Sequence, residues 1–226
     1  MPTAKKKAVS ALQRKASPRK ARAYHKGHVS QDLLAAAAKI LKEERVEDVS
    51  VRRLAREVGV TPANFYNHFP SLDDLLLTLA AQGFDDVSRD SARVMTRAKT
   101  RRDGLLQLAV QFAEFAMANK QLFRIMFGQI PNSTAHTRFK EASDASFGQL
   151  IRHVYGRDLY DPTTPMETHQ RGKAAYALFA LAYGLARNII EDQFLFETNS
   201  RAEIRHFVEE VMGTLLDGTV PAELGT

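Results

Sequence analysis

From residue 30 onward, apolar residues recur every three or four positions, the spacing of amphipathic helices. The two-residue alternation of half-buried strands is absent. Leu33, Leu34, Ala37, Ile40 and Leu41 form the first stripe, so a helix is predicted over 30–44 with Ser30 as its cap. Ser50 caps a second, short helix carrying Val51, Leu54, Ala55 and Val58, and Gly59 ends it where a left-handed residue is wanted. Thr61 caps a third. Pro62 takes its first position, where a missing N–H costs nothing, and Pro70 stops it after Phe65, Tyr66 and Phe69. Ser71, with Asp74 three residues later, reads as a capping box for a long fourth helix reaching about residue 98. Leu72, Leu75, Leu76, Leu79, Phe84, Val87 and Met95 mark its buried side.

The same period predicts helices over about 102–118, from Asn119 through Phe127, and over 134–155 up to Gly156. After a loop at 157–165, two more are expected over 166–197 and 201–217. The fold class is therefore all-α. The chain divides into a basic arm at 1–28, a three-helix domain at 29–75, a longer helical domain at 76–217, and a tail at 218–226.

Charge sharpens this picture. Residues 1–28 hold nine Lys/Arg and no Asp/Glu, so a 226-residue chain of net charge +6 leaves −3 for everything else. That arm lacks the large apolar groups needed to offset chain entropy, and it is expected to be disordered when free. Such a segment suits a polyanion. It also resembles an organellar transit peptide in composition, or a solubilising tail, but the helices that follow favour the polyanion. The chain has no cysteine, which excludes disulfides, thiolate catalysis and zinc fingers. No apolar run approaches the ~20 residues of a membrane helix, and no apolar signal core opens the chain. A cytoplasmic, nucleoid-associated protein with no membrane partner is expected.

Residues 50–69 (SVRRLAREVGVTPANFYNHF) carry the most information. A short helix broken at a glycine, with a second starting two residues later, has the spacing of a helix-turn-helix. Phe65 and Phe69, four apart, face inward, and Val60 plugs the angle between the helices. Ala63, Asn64, Asn67 and His68 are expected to turn outward near the start of the second helix. There the free N–H groups and positive dipole end suit phosphates, and Asn64 suits an adenine edge.

The stretch from Leu33 to Leu76 resembles the DNA-binding domain of the TetR family of bacterial transcriptional regulators. The resemblance rests on Ser50-Val51-Arg52-Arg53-Leu54-Ala55, then Gly59-Val60-Thr61, then Tyr66-Asn67-His68-Phe69-Pro70-Ser71, in the family's order. It implies that Thr61, Tyr66 and His68 hold phosphates. Arg52 would reach the backbone or a base, and Pro62, Ala63, Asn64 and Asn67 would tune sequence choice. Two departures stand out. The glycine usual at the end of the first helix is missing near Arg45, and Leu72 replaces a common lysine after the capping serine. Residues 29–70 carry six basic and six acidic groups. The domain therefore has little electrostatic drive of its own, and the arm gains importance.

The resemblance further implies a C-terminal helical bundle that binds an effector and forms a homodimer. Phe179-Ala-Leu-Ala-Tyr183-Gly184 is similar to the Trp-x-x-x-His-Gly signature of one subgroup, with both aromatic positions changed. Small residues at 174–186 and a stripe of Ile204, Phe207, Val208, Val211 and Leu215 suit a four-helix dimer interface made by the last two helices. An effector pocket is expected among Phe112, Phe115, Met126, Phe127, Phe147, Ile151, Tyr155 and Tyr183. Arg124, Arg187 and Asn188 are candidates to orient a small apolar or amphipathic ligand.

The seven histidines show no metal-ligand spacing, and neither a phosphate loop nor a nucleophile elbow occurs. No catalytic residue, metal site or cofactor is expected. The sequence therefore predicts a homodimeric, ligand-released repressor that reads near-palindromic double-stranded DNA. An architectural or cell-division factor on the same scaffold, with a filled core in place of a pocket, is the alternative. A helical enzyme or ligand carrier is the second.

Overall fold

The computed structural model describes residues 28–128, 130–131, 133–156, 170–191 and 200–219. The basic arm, the loop at 157–165, both ends of the helix expected over 166–197 and most of the tail lie outside the described residues. Nine α-helices and two short 3-10 turns occur among the described residues, without strands. They are α1 (Val29–Glu43), α2 (Val51–Val58), α3 (Pro62–Phe65), α4 (Leu72–Arg97), α5 (Arg101–Ala118), α6 (Lys120–Phe127), α7 (Thr137–Tyr155), α8 (Gln170–Ile190) and α9 (Arg201–Thr219).

The local signals for α2 to α4 act as expected. The hydroxyls of Ser50, Thr61 and Ser71 accept from the N–H groups of Arg53, Asn64 and Asp74 at 3.3, 3.2 and 3.1 Å. Gly59 takes φ +80, a conformation in which a Cβ would be strained although no neighbour occupies that space. Two caps differ from expectation. His28, not Ser30, precedes α1, and Ser30 lies within the helix. At Ser71 only half of the capping box forms, because the Asp74 carboxylate turns to His136 Nε2, 3.4 Å away.

The glycine missing after α1 has a substitute. Glu44 leaves the helix in an extended conformation, and the Arg45 N–H donates to the Asp48 carboxylate at 3.2 Å. Arg53 on α2 then grips Glu44 with two hydrogen bonds of 2.6 and 2.5 Å. The guanidinium holds the Glu44 carboxyl below the usual carboxylate range. Its stabilising contribution is thus present at neutral pH and lost as acid protonates it.

One buried cluster runs from α1 through α2, α3 and α4 and continues to Ile125 and Met126 on α6 and Ala142 on α7. Gly83 makes the α4–α6 approach possible, since a Cβ there would sit 2.6 Å from Met126 Sδ. A second cluster joins α5, α7, α8 and α9. It is tied at its surface by Arg102 to Asp217 at 2.7 Å and by Arg205 to Glu114 at 2.7 Å. Val208, Met212 and Leu216 of α9 point into that cluster, while Ile204, Phe207, Val211 and Leu215 flank it half-buried.

The long contact between α4 and α7 is polar at its rim. Asp85 pairs with Arg138 on α7. Asp86 and Asp90 pair within their own helix with Arg89 and Arg93. The Gln149 amide donates to the Ser88 carbonyl at 3.0 Å. No described helix is long and apolar enough to cross a membrane.

Candidate nucleic-acid interface and effector cavity

The second helix of the helix-turn-helix is shorter than its sequence suggests. α3 ends at Phe65, and the chain continues as a tight turn to His68. Asn67 N–H donates to Asn64 O at 3.1 Å and His68 N–H to Phe65 O at 2.9 Å, both three residues back. The tightening lets Phe65 and Phe69 enter one core at 0% and 5% exposure, with ring centroids 5.8 Å apart.

This geometry sorts the expected contact residues. Thr61, Pro62, Ala63, Tyr66, Asn67 and His68 are exposed on the outer side of α3 and its turn. Tyr66 is 58% exposed, held edge-on against Phe65 at 5.3 Å, so its rigid ring carries the hydroxyl outward. Arg52 is exposed at the start of α2, while its neighbour Arg53 is committed to Glu44. Asn64 corrects the expectation. The residue is half-buried, and its side-chain oxygen is buried without a hydrogen-bond partner. An outward adenine contact from Asn64 would require that side chain to swing.

In the helical body, α4, α5, α6, α7 and α8 line a half-open cavity of about 480 Å³, touched at one point by Met212 of α9. That volume lies within the ~300–1,000 Å³ range of small-molecule sites. Phe112, Phe115, Met126, Phe127 and Phe147 line it as expected. The remaining walls are Phe84, Val87 and Ser91 on α4, Phe139, Ser143, Leu150 and His153 on α7, and Tyr176, Phe179 and Ala182 on α8, among others.

Three expected lining residues, and all three expected polar ones, lie elsewhere. Tyr155 is buried, and its hydroxyl accepts from the Ala175 N–H at 3.3 Å, joining α7 to α8. Ile151 packs into the α5–α9 cluster. Tyr183 forms a second layer behind the wall, 5.2 Å from Phe127 and 5.9 Å from Phe179, and receives a hydrogen bond from exposed Arg187 at 3.2 Å. Arg124 makes two 3.0 Å hydrogen bonds to Glu191 beyond the end of α8, which hold that carboxyl below its usual range. Asn188 is exposed.

The error on α7 is geometric. Stepping by four from Phe147 to Ile151 to Tyr155 rotates about 40° per step around a helix, away from the cavity. The signal that finds the true face mixes three- and four-residue steps: Phe139, Ser143, Ser146, Leu150 and His153.

Burial pushes the His153 imidazole below its ordinary 6.5, with Arg152 adding to the effect. The folded chain then favours the neutral ring, whereas the unfolded chain takes a proton near the ordinary value. The stability tied to His153 is complete above that value and declines as pH falls toward the folded one. Melting curves between about pH 7.5 and pH 5.5 should show this loss, and His153→Phe should reduce it.

Among the described residues no cluster of His, Cys, Asp or Glu has the makings of a metal site. The family model for bacterial regulatory proteins of the tetR family matches residues 33–79, and that for the tetracyclin repressor-like C-terminal domain matches residues 105–215. A Rhodococcus sp. RHA1 protein of unknown function is 27% identical over 88% of this chain and 100% of its own, with a TM-score of 0.71. A TetR transcriptional regulator from the same Rhodococcus shares the fold at 15% identity and TM-score 0.57, covering 86% of this chain and 100% of its own. The FadR regulator of Bacillus subtilis, in complex with stearoyl-CoA, does so at 12% identity and TM-score 0.60, covering 80% and 96%. A helix-turn-helix set on a helical body, matched in order by the N-terminal and C-terminal family models, places this chain in the TetR family of bacterial transcriptional regulators, a family of regulators and not of enzymes.

Proposed function

We propose that the protein is a homodimeric repressor that binds a near-palindromic operator and releases it when a small molecule enters the body. Two copies would place their α3 segments in successive major grooves, with α8 and α9 forming the dimer contact. Thr61, Tyr66 and His68 would hold phosphates, Arg52 the backbone or a base, and Pro62, Ala63 and Asn67 the base edges. The basic arm would follow the backbone or enter a minor groove. On this reading the protein works in the cytoplasm, at the nucleoid.

The observation that carries this reading is the pairing of an exposed recognition surface with a cavity. A DNA-binding factor without a ligand needs the first and not the second. Release requires the ligand to prefer one dimer spacing over the other, since equal affinity for both shifts nothing. The Bacillus subtilis FadR, in complex with stearoyl-CoA, shows that a small molecule can be held on this fold.

The test is selection from genomic DNA with the full-length chain at about 150 mM salt. Arg52→Ala/Tyr66→Ala is the control, because both side chains are exposed and removable without opening the core. An enriched near-palindrome that disappears in the variant is expected. Binding without sequence enrichment, unchanged in the variant, would leave only the arm at work and overturn the reading. Each phosphate neutralised by the arm adds about −0.9 to the slope of log affinity against log salt.

A further inference from the structure

The walls of the cavity restrict what can fill it. Aromatic rings from five helices face it, with Phe147 edge-on to Phe179 at 5.6 Å and Phe84 edge-on to Phe127 at 5.3 Å. The single charged group lining it, among the described residues, is an acid, Asp144, whose carboxylate is paired with Lys140 at 2.5 Å.

Ser91 on α4 and Ser143 on α7 offer the cavity acceptors, while Ser146, Gln111 and Tyr176 add further polar groups to its lining. Ser91 and Ser143 already donate their hydroxyl protons to the carbonyls of Ser88 and Lys140, at 2.9 and 3.0 Å. Each therefore meets a ligand with its lone pairs. His153 lines the same side, and its Nε2 is buried without a hydrogen-bond partner. A buried nitrogen left in that state is costly, and a ligand hydroxyl, which can donate or accept, removes the cost.

We infer that the effector is an uncharged, largely apolar molecule, aromatic in part, that donates a hydroxyl hydrogen bond to the side of the cavity formed by Ser91, Ser143 and His153. An anion is disfavoured, because an ionised carboxylate brought against the aromatic walls loses its hydration without gaining a cation, the nearest one, Lys140, being exposed and already paired with Asp144. This inference rests on the effector-binding role proposed above, and it names the ligand class.

Three probes of one shape decide it: 4-hexylphenol, hexylbenzene and 4-hexylbenzoate, titrated into the full-length protein near neutral pH by calorimetry. The phenol should bind once per chain. Hexylbenzene, lacking the donor, should bind about 3- to 10-fold more weakly, the span of one hydrogen bond. The benzoate should bind at least about 100-fold more weakly than the phenol. His153→Phe and Ser91→Ala/Ser143→Ala should each narrow the gap between phenol and hexylbenzene. The serine pair serves as the second route if the histidine variant folds poorly.

A benzoate that binds as tightly as the phenol overturns the inference. So does a gap that neither variant moves, or a protein that takes up none of the probes at their solubility limit. The regulator reading fails separately, if the wild-type chain selects no DNA sequence.

Discussion

Phe65→Ala is expected to remove operator binding through the fold, without touching a DNA-contacting atom. Phe65 is fully buried, 5.3 Å from the Tyr66 ring and 5.8 Å from Phe69. It is the peg on which α3 hangs against α1 and α2. Truncating a buried phenylalanine costs about 3–5 kcal/mol, a large part of the ~5–15 kcal/mol that holds a typical domain together. α3 has only four residues, too few to be helical on their own account. Its position depends on this ring. Operator affinity should fall at least about 100-fold, the equivalent of roughly 3 kcal/mol, with a matching drop in melting temperature. Tyr66→Ala provides the contrast: affinity should fall while the melting temperature stays near wild type, because that side chain is exposed. A Phe65→Ala protein that melts and binds as wild type does would show that α3 is positioned by something other than this core.

Phe123→Ala should be as damaging from the other end of the molecule. Phe123 is 2% exposed and sits among Phe112, Phe127 and Tyr183, with ring centroids 5.4, 4.7 and 6.0 Å away. Two of those neighbours, Phe112 and Phe127, form the cavity wall. Removing the ring costs about 3–5 kcal/mol and loses edge and stacked contacts worth up to ~1.5 kcal/mol each within that sum. It should also enlarge the cavity and blur its shape. Because Phe115 and Phe127 pack against both the helix-turn-helix cluster and the Phe123 cluster, the two variants should lower one common transition. Calorimetry at fixed protein concentration should show a single peak shifted in each. Two peaks, with Phe65→Ala moving one and Phe123→Ala the other, would contradict the shared core.

What the sequence revealed and what it concealed follow from the range of the forces involved. Caps and turns are set by neighbours a few residues apart. Ser50, Gly59, Thr61, Pro62 and Ser71 could therefore be assigned from their spacing, and the structure shows each in its place. The inward pair Phe65 and Phe69 followed from helical spacing for the same reason. The partial burial of Asn64 did not, because helical spacing gives a residue's face and not how far its neighbours cover it. The cavity was half legible. Apolar periodicity says that a side chain is buried without saying whether it meets a wall or a void. Phe112 and Phe147 thus stood beside Tyr155 and Tyr183 as equals until α4 and α8 closed around α7. His136 carried no signal at all. It caps α7 by accepting from the Phe139 N–H at 3.1 Å and reaches Asp74 at the start of α4. That second partner lies 62 residues away in the chain.

The core that runs without a break from α1 to α6 also governs how this protein can be recombined. Regulators of this architecture are natural parts for chimeras in which the DNA reader of one chain is joined to the sensor of another. The obvious joint, after residue 79 where the N-terminal family match ends, would cut α4 between Leu79 and Ala80. The reader's buried Leu76 and Leu79 would then face a stranger in place of Ile125 and Met126. Gly83 would meet whatever side chain the new α6 supplied at the place where only 2.6 Å separates its would-be Cβ from a methionine sulfur. The transplantable unit is larger than the helix-turn-helix: α1 to α4 travel with α6 and with the α7 face that carries Arg138 and Ala142, so no joint within α4 or directly after α6 keeps reader and support together.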